Sequence, residues 1–324
     1  MVEKFVLMEE NYCDCPSLIE IETSDTREEP SYDISQWSSI DNKIISVNNT
    51  FPKLEPGYYS IRNNQTLGIH FIKDKISLNK LYRLPNEATD IILNDINKFW
   101  TLKDTYVKYE RVYKRNYLIY SAPGTGKTSL INIMCQDLID KYKGIVFSIG
   151  STYELGLFID AIKKVRTIEP DTKIITIIED IDNFCTLKND SVETLLLNIL
   201  DGNYKTDNLV IIATTNYIEK LEERYVNRPS RFDRVIEFPL PNDESRRIFI
   251  EKTVSPDDIK KINIDKWVKR TKGFSIDHIN ELILLYFVFG HEEEESFKTI
   301  ENMIKNHNHL SNKTSVNKKE IDFD

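Results

Sequence analysis

Five apolar runs of strand length mark the middle of the chain. They occupy residues 117–120 (YLIY), 145–149 (IVFSI), 174–178 (IITII), 209–213 (LVIIA) and 235–238 (VIEF). Runs with so few polar positions are typical of parallel strands buried on both faces. The segments between them carry apolar residues at helical spacing, such as Leu155, Phe158 and Ile162. The alternation predicts an α/β fold in which helices cover both faces of a parallel sheet.

The flanking regions have different patterns. Residues 57–76 carry two Tyr-, Ile- and Phe-rich runs around the turn-prone segment 62–65, which predicts a β-hairpin. Residues from about 241 to 310 have helical spacing throughout, including Ile279, Leu282 and Tyr286. We therefore predict four regions: a β-rich N-terminal domain (1–82), the α/β domain (83–240), a helical lid (241–310) and a polar tail (311–324).

Charge is concentrated near the N-terminus. The net charge is −9, and residues 1–40 contribute −8 from ten acids and two bases. This segment is either a solvated face or an acidic arm that binds a partner. An acidic chain gains little affinity for nucleic acid from counterion release, so we do not expect a nucleic-acid partner. The start of the chain does not resemble a signal peptide, no apolar run could span a membrane, and Cys13, Cys15, Cys135 and Cys185 suit a reducing, cytoplasmic location.

The strongest motif follows the run at 117–120 and precedes a helical stretch at 127–140. It comprises Ser121, Ala122, Pro123, Gly124, Thr125, Gly126, Lys127, Thr128 and Ser129. Glycines let backbone N–H groups face a phosphate, Lys127 can reach the β- and γ-phosphates, and Thr128 can ligate Mg²⁺. The pattern GxxxxGK[ST] expects glycine where Ser121 stands, and a serine suffices if that position needs no positive φ. The motif predicts binding of ATP and Mg²⁺.

A second acidic signal follows the run at 174–178. Glu179 and Asp180 come at the end of a buried strand, where a phosphate-loop enzyme places one acid for the metal and one for the attacking water. The usual order is Asp then Glu, which is reversed here. We assign Glu179 to Mg²⁺ and Asp180 to water activation, while Asp182 is as well explained by a structural role.

Together with these motifs, the stretch IIATTNYIEKLEERYVNRPSRFDRVIEFPLPND resembles the second homology region of AAA-type ATPases. The resemblance covers roughly residues 85–300. It implies a P-loop sheet with a helical lid, a γ-phosphate sensor at Asn216, and arginine fingers at Arg228 and Arg231 that act on a neighbouring subunit in a ring. An ion pair within the subunit, for example with Asp233, is the alternative for the arginines.

The order of the acids, the helix ETLLLNILDG and the lead-in to the phosphate loop are similar to the subfamily of the mitochondrial Rieske-protein translocase. The first 80 residues lack that group's transmembrane helix. No arginine stands at the start of the lid helix near residue 275, where other AAA clades carry a second sensor; His278 lies there instead. Tyr153 is the only aromatic in the segment 148–156, where ring motors often place a substrate-gripping residue, but we favour packing at a helix start for it.

The resemblance implies an ATPase that remodels or translocates a protein substrate. The alternatives are a nucleotide-dependent assembly or scaffold protein with weak hydrolysis and, less favoured by the charge, a DNA-handling motor. The substrate and the number of subunits do not follow from the sequence.

Overall fold

The computed structural model describes residues 36–40, 43–47, 50–65, 67–74, 82–185, 190–202, 204, 206–221, 225, 228 and 230–319. The chain divides into two compact units, Met1–Phe51 and Pro52–Asp324. In the first unit, β1 (Gln36–Ile40) and β2 (Lys43–Val47) form an antiparallel pair. Most of the acidic N-terminal segment, with Cys13 and Cys15, lies outside the described residues.

The second unit is built on a seven-stranded sheet in the order β4-β3-β6-β7-β8-β5-β9. Its strands are β3 (Gly57–Asn64), β4 (Gly68–Asp74), β5 (Lys114–Tyr120), β6 (Ile145–Ile149), β7 (Ile174–Ile178), β8 (Leu209–Thr215) and β9 (Arg234–Glu237). Every pairing is parallel except β3 with β4. The five strands predicted from apolar runs and the α/β class are confirmed.

The predicted hairpin forms, but it is part of the sheet. Residues Gly57 to Ser60 of β3 pair in parallel with Ile145 to Ser148 of β6. Ile61 is fully buried against the sheet core, so the hairpin gains burial that it could not find alone. The structural division at residue 51 therefore differs from the expected boundary at residue 82.

Helices cover both faces of the sheet. Before and within the sheet region lie α1 (Glu87–Phe99), α2 (Lys103–Lys108), α3 (Lys127–Tyr142), α4 (Thr152–Ile168), α5 (Asp182–Cys185) and α6 (Asp190–Asp201). Residues of α1 and α3 share one core with Ile175 and Ile177 of β7. Residues of α4 and α6 share the other with Ile174 and Ile178, as the two-residue period of a strand requires.

The C-terminal region, which we call the lid, is helical and has its own core. Its helices are α7 (Asp243–Thr253), α8 (Ile264–Arg270), α9 (Ile276–Ile283) and α10 (Glu293–Lys319), with a π-helical turn at Leu284–Val288 after α9. Trp267, Ile279, Leu282 and Phe297 are fully buried together. None of the helices in the described part of the chain is long and apolar enough to cross a bilayer.

Candidate active site

The glycine-rich segment connects β5 directly to α3. Gly124 and Gly126 have φ values of 74° and 102°, a region that L-residues with a Cβ rarely adopt. Ser121 has no such positive φ, and its hydroxyl lies 2.6 Å from the Thr125 hydroxyl. A serine is therefore accommodated where the motif expects glycine, since the position does not require left-handed backbone.

The first turn of α3 is open to an anion. Gly126 is its N-cap residue, and no side chain caps the helix there. A Cβ added at Gly126 would meet no atom within 4 Å, so the glycine borders free space. Uncapped N–H groups carry the positive end of the helix dipole, which favours a phosphate at this position.

Lys127 lies in the centre of the site. Its Nζ donates to the Ser121 hydroxyl and to Asn216 Oδ1, both at 2.6 Å. Only 9% of the residue is exposed, and this burial lowers the pKa of the ammonium, while the charges of Asp180, Asp277 and Glu179 oppose the shift. The lysine is thus a positioned cation with several carboxylates around it.

The acidic strand end reaches the same place. All five residues of β7 are buried, whereas Glu179 and Asp180 are exposed directly after it. Glu179 Oε2 accepts a hydrogen bond from the Thr128 hydroxyl at 3.3 Å. Because β8 separates β5 from β7 in the sheet, this contact joins the segments that follow two strands that are not neighbours.

Asp180 and Asn216 complete the group. Asp180 has a φ of 49°, which aspartate tolerates better than most residues, and its N–H donates to the Thr214 hydroxyl at 3.4 Å. Asn216, which follows β8, donates from Nδ2 to Asp180 Oδ1 at 3.4 Å while its Oδ1 accepts from Lys127. The amide therefore connects the lysine to the second acid.

Asp182 has a different environment. It is buried, and its Oδ1 accepts a hydrogen bond of 2.7 Å from the Thr215 hydroxyl. This contact ties the start of α5 to the end of β8. Of the two roles that the sequence left open for Asp182, the geometry supports the structural one.

The two arginines expected as fingers have unlike environments. Arg228 is exposed. Arg231 is 5% exposed, and its Nε lies 3.1 Å from Asp201 Oδ1 at the end of α6. The intrasubunit ion pair considered as an alternative is present for Arg231, although its partner is Asp201, because Asp233 is held by Arg115 and by the N–H of Asn116.

Two further candidates have structural partners. Tyr153 lies in the first turn of α4, only two residues separate β6 from that helix, and its hydroxyl donates to the carbonyl of Asn63 at 3.0 Å. The segment is therefore too short for a long central loop. His278 forms a capping box with Ser275 at the start of α9, so its side chain has a structural partner there.

Sequence reasoning missed an apolar cleft beside the loop. It is lined by Leu84, Leu130, Ile133, Phe238, Phe249 and Ile276, together with Thr125 and Gly126. These side chains come from the segment before α1, from α3, from the end of the sheet and from the lid. No local motif links them, so only the folded chain brings them together.

The residues present fit a magnesium-bound nucleotide. Uncapped amides, a buried lysine and a hydroxyl–carboxylate pair supply anion donors and hard oxygen ligands within one site. The apolar cleft next to them suits the nucleoside part of such a ligand.

Comparisons with known proteins point to the same chemistry. Residues 117–240 match the model of the ATPase family associated with various cellular activities (AAA). Among curated relatives, Protein HYPER-SENSITIVITY-RELATED 4 of Arabidopsis thaliana is 32% identical over 49% of this chain and 30% of its own length. A putative 26S proteasome regulatory subunit homolog of Methanothermobacter marburgensis is 31% identical over 52% of this chain and 48% of its own.

A probable mitochondrial chaperone bcs1 of Schizosaccharomyces pombe is 31% identical over 46% of this chain and 34% of its own, in agreement with the subfamily resemblance. The chain thus spans between 30% and 48% of the length of these three relatives. The motifs, the sheet order and the family match lead to one conclusion: the chain carries an AAA ATPase domain.

Proposed function

We propose that this chain is a ring-forming ATPase that couples hydrolysis of Mg-ATP to remodelling or movement of a protein. The observation that carries the proposal is the convergence of Lys127, Thr128, Glu179, Asp180 and Asn216 from three separate segments. A phosphate loop without an acidic strand end would bind an anion but would have no group to activate water. Here the phosphate loop and the acidic strand end are in direct hydrogen-bonding contact, through Thr128 and Glu179.

Each of these residues has a distinct role in the proposed reaction. Thr128 and Glu179 would hold Mg²⁺, which neutralises charge on the β- and γ-phosphates. Lys127 would exchange its bonds to Ser121 and Asn216 for phosphate oxygens. Asp180 would accept a proton from the attacking water as the bond from the γ-phosphorus to the bridging oxygen breaks, and Asn216 would orient that carboxylate.

The ring is supported by the exposed Arg228. A guanidinium from a neighbouring subunit can stabilise charge on the transferred phosphoryl group, and only an exposed side chain can reach another subunit. Arg231 is engaged with Asp201, so we assign the finger to Arg228 and a supporting role to Arg231. The choice of a protein substrate rests on the relatives, whose names include a proteasome regulatory subunit homolog and a chaperone.

One observation favours a second candidate, a scaffold that binds ATP and hydrolyses it slowly. The residue in the water-activating position is an aspartate with left-handed backbone, one methylene shorter than the glutamate usual there. A shorter carboxylate reaches less far toward the attacking water, which would slow turnover without affecting binding.

The test compares the wild-type chain with Asp180→Asn. For each, ATP turnover is measured with Mg²⁺, and particle mass is measured with and without ATP. The proposal predicts turnover and an ATP-dependent ring for wild type, and a ring without turnover for the variant. Equal low turnover of both proteins in a stable ring would favour the scaffold, and a monomer under all conditions would contradict the ring.

A further inference from the structure

An acidic residue of the lid contacts the phosphate loop. Asp277, in the first turn of α9, donates its N–H to the carbonyl of Gly124 at 3.2 Å. A Cβ added at Gly124 would lie 2.7 Å from Asp277 Oδ2, so the carboxylate itself is packed against the loop. A glycine at position 124 is therefore required by its φ of 74° and by the approach of this side chain.

The carboxylate adds to an excess of negative charge. Asp180, Asp277 and Glu179 all act on the buried Lys127 and oppose the effect of burial on its pKa. Two of the three have roles with metal and water in the proposed reaction. Asp277 has neither role, and it comes from the lid, not from the sheet.

We infer that Asp277 sets nucleotide selectivity, by weakening the binding of ATP more than that of ADP and by coupling the lid to the charge in the loop. The inference rests on the proposed ATP site. A phosphate chain bound beside Gly124 would face this carboxylate at short range, and like charges at short range repel each other. The penalty grows with the charge of the ligand, which is larger for ATP than for ADP.

The lid would respond as a unit because α9 is fixed within it. Ser275 and His278 close its N-terminus in a capping box, and Ile279 and Leu282 are fully buried in the lid core. The backbone of Asp277 cannot move far without moving these residues. Repulsion at Gly124 would thus be transmitted to the whole lid and would favour its opening. An arginine at this position would attract the phosphates and favour closure.

The experiment measures dissociation constants of ATP and ADP, with Mg²⁺, for wild type and Asp277→Asn by calorimetry. Asparagine keeps the shape of the side chain and the backbone hydrogen bond to the Gly124 carbonyl, but it removes the charge. We expect about fivefold tighter binding of ATP and about twofold tighter binding of ADP. The control Glu281→Gln removes the same charge one helical turn further along α9, about 6 Å away, and should change neither constant by more than about 1.5-fold.

Unchanged or weaker ATP binding by Asp277→Asn would overturn the inference, as would equal tightening of both nucleotides or the same effect in Glu281→Gln. If Asp277→Asn does not fold, Asp277→Ser serves in the same comparison. If wild type binds neither nucleotide, the ATP site itself fails. If wild type binds ATP but Asp277→Asn shows no preference change, only the role of Asp277 fails.

Discussion

Lys127 illustrates how single residues define the site. Its ammonium is buried, yet it donates to the Ser121 hydroxyl and to Asn216 Oδ1 and has several acidic neighbours, so its position is fixed by the protein itself. The sequence predicted this residue from the motif alone, but not its contact with Asn216, which lies 89 positions away in the chain. Contacts between residues so far apart in the chain depend on the order of the strands in the sheet, which a local sequence pattern does not reveal.

The pairing of Thr128 with Glu179 leads to the first prediction. Replacing Thr128 by alanine removes the hydroxyl that we assign to Mg²⁺. In EDTA the variant should bind ATP as wild type does. The factor by which Mg²⁺ increases ATP affinity should be at least about tenfold smaller in the variant than in wild type. Calorimetric titrations with and without Mg²⁺ measure this difference.

The matched control is Thr299→Ala, which removes an exposed hydroxyl on α10 that donates only to the Glu295 carbonyl. It should behave as wild type in both titrations. A Thr128→Ala protein with undiminished magnesium dependence would show that the metal is held by other groups.

At the level of elements, the sequence predicted what is encoded locally. Strands β5 to β9 follow from apolar runs, and α3 follows from its glycine-rich start. The position of β8 between β5 and β7 could not be predicted, because strand order is set by packing of helices on both faces. The sequence did not predict that the hairpin belongs to the sheet, for the same reason. A hairpin at the edge of this sheet has the same sequence pattern as a hairpin in a separate domain.

Lys114, at the start of β5, supports the end of α6. Its Nζ donates to the carbonyls of Ile199 and Leu200 at 2.8 and 2.6 Å. Burial lowers the pKa of this lysine to about 8. Because the unfolded chain holds the proton up to about pH 10.4, folding releases protons between these values, and wild-type stability should rise with pH there.

The comparison that isolates this effect is Lys114→Met, which cannot titrate. Relative to that variant, the unfolding free energy of wild type should be constant below about pH 8 and should increase above it by at most about 1.4 kcal/mol per pH unit. Urea unfolding from pH 7 to 10 measures the difference. A flat difference over this range would contradict a lowered pKa.

Arg231 gives the second prediction at this level. Removing it would leave Asp201 at the end of α6 without its buried partner. We expect Arg231→Ala to lose about 3 kcal/mol of unfolding free energy, since breaking a buried ion pair from one side is costly. The exposed Arg111→Ala should stay within about 0.5 kcal/mol of wild type in the same denaturant titration. If Arg231→Ala also stayed within about 0.5 kcal/mol of wild type, the ion pair with Asp201 would contribute little, and Arg231 could instead act on a neighbouring subunit.

At the level of the whole molecule, the proposal requires more than one copy. A subunit of a ring can place an arginine in the site of its neighbour, and Arg228 is exposed, as this role requires. The family resemblance implied a finger role for both arginines, with an ion pair within the subunit as the alternative, and only the fold distinguishes the exposed arginine from the buried one. Motifs report residue types, whereas burial depends on α6, which lies earlier in the chain.

Mixing two inactive variants tests the contribution in trans. Arg228→Ala keeps a complete acidic site, and Asp180→Asn keeps a complete finger. In an equal random mixture, about a quarter of interfaces would combine the intact site with the intact finger, so turnover should recover to a similar fraction. Recovery is measured as ATP turnover against mixing ratio, and its absence at every ratio would place the arginine's action within one subunit.

The central claim is that the glycine-rich loop holds the phosphates of ATP through Lys127. It is tested by calorimetric binding of Mg-ATP to wild type and Lys127→Ala, with Lys141→Ala as control because its ammonium is exposed and pairs with Asp137. We expect saturable binding for wild type and the control, and at least about a hundredfold weaker binding for Lys127→Ala. Equal affinity of all three proteins would contradict it.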